Sequence, residues 1–224
     1  MDNKTKKELL TYLSNLLTDE RKVLFEKVVQ YRSKHITVVL EDIFQPHNAS
    51  AVLRSCDLTG VLDVHIIENR NQYEVNPEVA LGSSKWLNLN IYNEQKNNTI
   101  QTFQKLRKEG YKIIATTPHK NSQSLENIDL TEKVAVVFGT ELTGLSDLAI
   151  NNADEYLRIP MHGFTESYNI SVSAALVLFT LTERMRKEKV DWQLSEKERL
   201  QTLLDWTRRS INKADAIEKR FLKK

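Results

Sequence analysis

The chain has 224 residues, of which 40% are hydrophobic and 28% charged, with six glycines, four prolines and a formal net charge of +2. That balance excludes a disordered or collagen-like chain and fits one medium domain with appendages or two small ones. The single cysteine, Cys56, excludes an intrachain disulfide and a cysteine zinc cluster; the five histidines (His35, His47, His65, His119, His162) form no H-x-x-x-H pair, so no metal is expected.

The amino terminus is charged (Asp2, Lys4, Lys6, Lys7, Glu8) and no apolar h-region follows, so a secretory signal is not expected. No apolar run reaches the ~18 residues of a membrane span, and a cytoplasmic protein is the expectation. Leu9, Leu10, Leu13, Leu16 and Leu17 recur at the spacing of one helical face. Thr18 or Asp19 is placed to cap a second helix carrying Val23, Leu24, Val28 and Tyr31.

The pattern then changes to short β-branched runs. Strands are expected at 37–41, 63–67, 90–92, 111–116, 134–138 and 156–159, with helices at about 48–59, 99–109, 145–152 and 168–189. Strands alternating with helices indicate an α/β fold with a mainly parallel sheet flanked by helices. Residues 70–88 are polar and irregular and read as a long functional loop or a short helix with loop.

From Ser195 the chain reads as helix again, opened by a capping box at Ser195 and Glu198. Leu200, Leu203, Leu204, Thr207, Ile211, Ala214, Ile217 and Phe221 make one apolar stripe, with Arg208, Arg209, Lys213, Lys219, Arg220, Lys223 and Lys224 around it. Residues 1–35, 36–182 and 183–224 carry net charges of +3, −6 and +5. Basic ends suit a polyanion such as RNA, and equally suit ordinary solvated helices. The organisation read from this is a helical extension at 1–35, an α/β domain at 36–190 and a basic helical extension at 191–224.

Three separated segments carry the chemistry. After the first strand, Glu41 through Gln45 contain no glycine, which argues against a G-x-G-x-x-G dinucleotide turn; a P-loop is absent too. The first segment, Pro46 through Arg54, follows directly. Asn48 is placed as a helix N-cap, and Arg54 points away from the apolar face of Ala49, Val52, Leu53 and Cys56, near Ser50 and Asp57. The second, Gly139 through Leu145, follows the fifth strand with glycines at 139 and 144 and Glu141 between them. The third runs from Ile159-Pro160-Met161 to Ser167-Tyr168-Asn169-Ile170-Ser171-Val172.

In this order the segments resemble the three motifs of the SPOUT family of RNA methyltransferases, TrmH branch, over about residues 38–185. The resemblance implies a trefoil knot in the carboxyl half of the α/β domain, and transfer of a methyl group from S-adenosylmethionine to a ribose 2′-hydroxyl of RNA. It implies that Asn48 and Arg54 are the active-site pair, that Ser167 and Asn169 hydrogen-bond in the active site, and that Glu141 holds the loops or touches substrate. Thr116, Gly139, Gly144, Ile159, Met161 and Tyr168 take cofactor positions; Tyr168 departs from the family's leucine. Arg54, a fixed fork of donors, is read as orienting the ribose and stabilising its emerging alkoxide.

The segment Ala80 through Trp86 is similar to the A-A-G-S-x-x-W of members that methylate guanosine 18 in the tRNA D-loop, so tRNA is the expected partner. A ribosomal RNA target and an inactive RNA-binding relative are the alternatives. Arg208, Arg209, Lys213, Lys219 and Arg220 are the candidate RNA contacts. The family also implies a homodimer, with helix 168–189 and the carboxyl helix as candidate contacts.

Overall fold

Six parallel strands form one sheet: β1 (Ile36–Glu41), β2 (Asp63–Ile67), β3 (Asn88–Tyr92), β4 (Tyr111–Thr116), β5 (Lys133–Phe138) and β6 (Glu155–Leu157), in the order β3-β2-β1-β5-β4-β6. The computed structural model describes residues 1–74, 76–80, 82–117 and 122–223; His119 and Lys224, named above, and Leu81 within the Ala80–Trp86 segment lie outside them. The helices are α1 (Asn3–Ser14), α2 (Asp19–Val29), α3 (Pro46–Thr59), α4 (Pro77–Ala80), α5 (Thr99–Lys108), α6 (Asp147–Asn151), α7 (Ile170–Lys187), α8 (Glu196–Ser210) and α9 (Ala214–Phe221). The mainly parallel, helix-flanked α/β fold is as expected.

Two compact units share the chain: Ser33–Trp192, which holds the sheet, and Met1–Arg32 together with Gln193–Lys224. In the sheet unit, residues of the central strands alternate between two apolar layers. Ile36, Val38, Leu40, Val134, Val136 and Phe138 pack with α3 and α7, while Val39, Ala135 and Val137 pack with Phe103, Leu106 and Ala149 of α5 and α6. Helices on both faces explain why β1 and β5 read as continuous apolar runs. Burying each large aliphatic side chain contributes about 1.5–3 kcal/mol relative to exposure.

Local chemistry sets the helix ends. Pro46 occupies the first turn of α3, so the N-cap is Gln45 and not Asn48. Asn48 sits inside the helix, 3% exposed, with its side chain free for tertiary bonds. Ser50, read as neighbouring Arg54 on a polar face, is fully buried, and its hydroxyl accepts from the Asn76 amide at 2.8 Å. Of the two readings of residues 70–88, the structure has the short helix with loop: α4, followed by a 3-10 turn at Ser83–Trp86.

The helical unit joins the two ends of the chain. Thr18 caps α2, and Ser195 with Glu198 forms the expected capping box on α8. Leu9, Leu13 and Leu204 make its core, with Ile211, Ile217 and Phe221 against them. Trp206, 1% exposed, lies 5.5 Å from the Phe25 ring and has the Arg32 guanidinium over its face. The single carboxyl-terminal stripe is two helices: Lys213 turns left-handed at φ 57 and starts α9.

His65 on β2 has a direct consequence for pH. Its Nδ1 lies 2.9 Å from the Tyr92 hydroxyl, and burial, with Lys105 and Lys34 adding to it against Asp63, pulls its pKa down to about 4 from the usual 6.5. The unfolded chain takes up this proton below pH 6.5 while the folded one resists until about pH 4. Stability therefore falls as pH drops through that window, by about 3 kcal/mol. Urea unfolding at pH 7 and pH 4.5 is expected to show this loss for the native chain, and a smaller loss for His65→Gln.

Candidate active site

Strand order reverses between β1 and β5, and in open parallel sheets ligands bind beyond the carboxyl ends of the strands at such a switch point. The segments singled out from the sequence meet there. Pro46–Arg54 follows β1, Gly139–Leu145 follows β5, Thr116 ends β4, Ile159 lies just past β6, and Asn169 caps α7.

The Gly139–Leu145 loop doubles back on itself. The Thr140 amide donates to the Gly144 carbonyl at 2.9 Å, and the Gly144 amide returns a bond to the Thr140 carbonyl at 3.1 Å. A Cβ at Gly139 would overlap the backbone of Gly144 and Leu145, so only glycine fits the crossing. Gly144 turns left-handed at φ 68. The loop's far end is anchored by Glu41, 2% exposed, whose carboxylate accepts from the Ser146 amide (2.9 Å) and hydroxyl (2.8 Å) and the Thr99 hydroxyl (2.6 Å).

Asp42, next in the chain, adopts φ 54 and accepts with Oδ1 from the Asn69 and Arg70 amides at 2.7 and 2.8 Å. This fastens the loop after β2 to the end of β1. Neither Glu41 nor Asp42 was among the site residues read from sequence. The available signal was a carboxylate pair ending an otherwise apolar strand, since buried acids demand partners.

A chain of side-chain bonds ties the three segments together. Asn48 Nδ2 donates to Glu141 Oε1 at 2.6 Å and to Gln45 Oε1 at 2.9 Å, and Asn169 Nδ2 donates to Asn48 Oδ1 at 3.2 Å. Asn169 Oδ1 accepts from the Ser171 amide and hydroxyl at 2.8 and 2.6 Å. Both ends of the Asn48 amide are thereby engaged. Glu141 and Ser167 line the adjoining cleft.

That cleft has a volume of about 320 Å³ and is lined by all six residues expected at cofactor positions: Thr116, Gly139, Gly144, Ile159, Met161 and Tyr168. Thr116 also donates to the Val137 carbonyl at 2.8 Å, a structural bond between strands. Leu157, Ile159, Met161 and Ile170 give an apolar wall suited to a purine face, while loop backbone and Ser167 give polar contacts, a fit for a nucleoside-type group. Tyr168 is 45% exposed at the cleft.

Arg54 stands apart. It is exposed on α3, lies outside the cleft lining, and has no ion pair or hydrogen bond among the described residues. Leu58, one turn on, is exposed as well, as are Val172, Leu176 and Phe179 along α7.

In the helical unit the candidate RNA contacts differ among themselves. Arg208 is partly engaged by its own chain: its guanidinium donates to Glu218 at 2.8 and 2.6 Å and to Asp205 at 3.0 Å, and these partners raise its pKa further. It ties α8 to α9 through three of its five N–H groups. Arg209, Lys213, Lys219 and Arg220 are exposed.

Fold and site together are those of an α/β domain whose cleft, built from loops at the strand ends, suits a nucleoside-type group. The model of the SpoU rRNA Methylase family matches residues 35–179, and the chain belongs to that family. It is 45% identical over 206 residues to a tRNA (guanosine(18)-2'-O)-methyltransferase of Borreliella burgdorferi, covering 92% of this chain and 93% of that one. A protein of the same name from Thermus thermophilus is 34% identical, covering 86% and 98%. Among solved structures, the A. aeolicus TrmH/SpoU tRNA modifying enzyme superposes with a TM-score of 0.76 at 29% identity, covering 87% of this chain and 98% of that one.

Proposed function

We propose that this chain transfers a methyl group from S-adenosylmethionine to the ribose 2′-hydroxyl of guanosine 18 in tRNA. The observation that carries this reading is the Glu141–Asn48–Asn169 hydrogen-bond chain, which brings three distant segments to one edge of a nucleoside-sized cleft. Nearly full-length similarity to proteins named for that reaction supports the choice of RNA and nucleotide.

S-adenosylmethionine supplies an electrophilic methyl group on a sulfonium. The chain's own residues do the rest. Leu157, Ile159, Met161 and Tyr168 hold the adenosyl part, and the Gly139–Gly144 crossing lets backbone approach it closely. Glu141 and Ser167 position the ribose hydroxyl in line with the transferred carbon, which supplies much of the rate. Asn48 and Asn169 fix Glu141 in that pose.

Arg54 acts on the ribose and its phosphate from a second copy of the chain. Its place outside its own cleft, one turn before exposed Leu58 on a helix that packs with α7, supports a homodimer that brings it to the partner's site. Arg209, Lys213, Lys219 and Arg220 contribute phosphate contacts, which weaken steeply with salt. Among the described residues no helix is long and apolar enough to cross a membrane, and a cytoplasmic enzyme completes the reading.

The test is transfer of labelled methyl to unmodified tRNA, followed by mass mapping. A methylated ribose at guanosine 18 is the expected product. Label only in ribosomal RNA, or none with either RNA, would overturn the reading, as would a monomer by sedimentation for the shared site.

A further inference from the structure

A second cleft, of about 620 Å³, shares the Thr140–Leu145 loop with the cofactor cleft; its other walls are Glu41, Asp42, Phe44 and Gln45, with Arg70–Asn71 and Ser146–Asp147. The loop thus stands between two spaces, and Glu141 faces both. We propose that this second cleft seats the base of the target nucleotide, stacked on Phe44, with Asp147 reading the guanine edge and Arg70 holding a flanking phosphate. The proposal rests on the methyl-transfer reading and names how that site selects its substrate.

The geometry of a nucleotide requires such a space. The 2′-oxygen is one carbon away from the carbon that bears the base. A hydroxyl held beside Glu141 and aimed at the cofactor cleft therefore leaves the base to occupy an adjoining cavity. An unstacked RNA base finds its replacement stack on an aromatic side chain. Phe44 lines this cleft and is 67% exposed.

The polar groups sort themselves by what they already hold. Glu41 is taken by Ser146 and Thr99, Asp42 is buried and accepts through Oδ1 from the amides of Asn69 and Arg70, and Glu141 accepts from Asn48 with one oxygen and serves the ribose hydroxyl with the rest of its carboxylate. Asp147 is exposed and has no hydrogen bond or ion pair among the described residues, and the same holds for the Arg70 side chain. A carboxylate is acceptor-only. Guanine offers two adjacent donors, N1–H and the 2-amino group, and no other standard RNA base offers that pair. Arg70 supplies the planar fork suited to phosphate.

The experiment compares kcat/KM for methyl transfer to tRNA carrying guanosine or inosine at position 18, inosine lacking only the 2-amino group. The native chain is expected to prefer guanosine by about 10–100-fold, the worth of a hydrogen bond to a charged group. Asp147→Asn is expected to bring the two substrates within about threefold, mainly by losing guanosine activity. Phe44→Ala is expected to lower kcat/KM on both by about tenfold or more. Both positions are exposed, and cofactor affinity by calorimetry is expected to be unchanged, which verifies that the variants fold. An unchanged guanosine preference in Asp147→Asn, or an unchanged kcat/KM in Phe44→Ala, would overturn the proposal while leaving the methyltransferase reading intact. No transfer by the native chain to guanosine-18 tRNA would instead sink that underlying reading, and this one with it.

Discussion

Arg54→Ala is expected to lower the single-turnover rate of methyl transfer by about 10²–10³-fold, the loss typical of removing a group that stabilises developing negative charge. Folding stability should change by less than about 0.5 kcal/mol, because Arg54 is exposed and makes no bond within the described chain. Cofactor affinity should hold as well, since Arg54 does not line that cleft. Arg54→Lys keeps the charge and loses the planar fork, so it should recover only a small part of the rate. If the side chain serves the partner's site, mixing Arg54→Ala with Asn169→Ala copies creates dimers with one intact site. Random pairing should then restore about a quarter of native activity. Full turnover by Arg54→Ala would remove this residue from the mechanism.

Gly139→Ala should be the most damaging single methyl group that can be added to the cofactor loop. Its Cβ would meet the Gly144 carbonyl group and the Leu145 amide nitrogen, all backbone, so no rotamer change relieves the overlap. The crossing has to open, at a cost of about 3 kcal/mol or more. Because the loop lines the cleft proposed for the cofactor, affinity for S-adenosylmethionine should fall by more than about tenfold. Gly144→Ala is the instructive contrast. Nothing lies within 4 Å of a Cβ there, and only its left-handed φ of 68° opposes substitution. A cost of about 1–2 kcal/mol and milder loss of binding are expected. Thermal unfolding and calorimetry on the two variants measure both quantities, and equal effects would contradict the crossing.

The strands at the centre of the sheet were the most legible elements. Thr37–Glu41 and Val134–Phe138 are covered on both faces, so their composition alone betrays them. At the edge, Asn88–Tyr92 is partly solvated and its apolar content is diluted by asparagines, which blurred its start by two residues. The Ile211–Lys213 break was illegible because the apolar spacing continues across it; only a backbone angle marks the turn.

In the site, residue types at family spacing indicated which segments matter but not how they connect. Asn48 looked like a cap because its chemistry allows it; Pro46 moved the helix start upstream and released it for Glu141. The commitment of Arg208 to Glu218 and Asp205 depends on α9 folding back on α8, a tertiary event with no signature in the charge pattern. The joining of both chain ends in one helical unit was hidden for the same reason.

The Glu41 anchor links positions 41, 99 and 146, which lie far apart in the chain. A binding wall fastened this way exists only while β1, α5 and the start of α6 are held together. Donor occupancy and global unfolding are consequently one thermodynamic system. At a hundredfold excess over its Kd, the donor should add about 2.7 kcal/mol to the resistance of the whole sheet unit, from β1 to α7. A cell short of that donor would thus hold an enzyme that is both idle and easier to degrade.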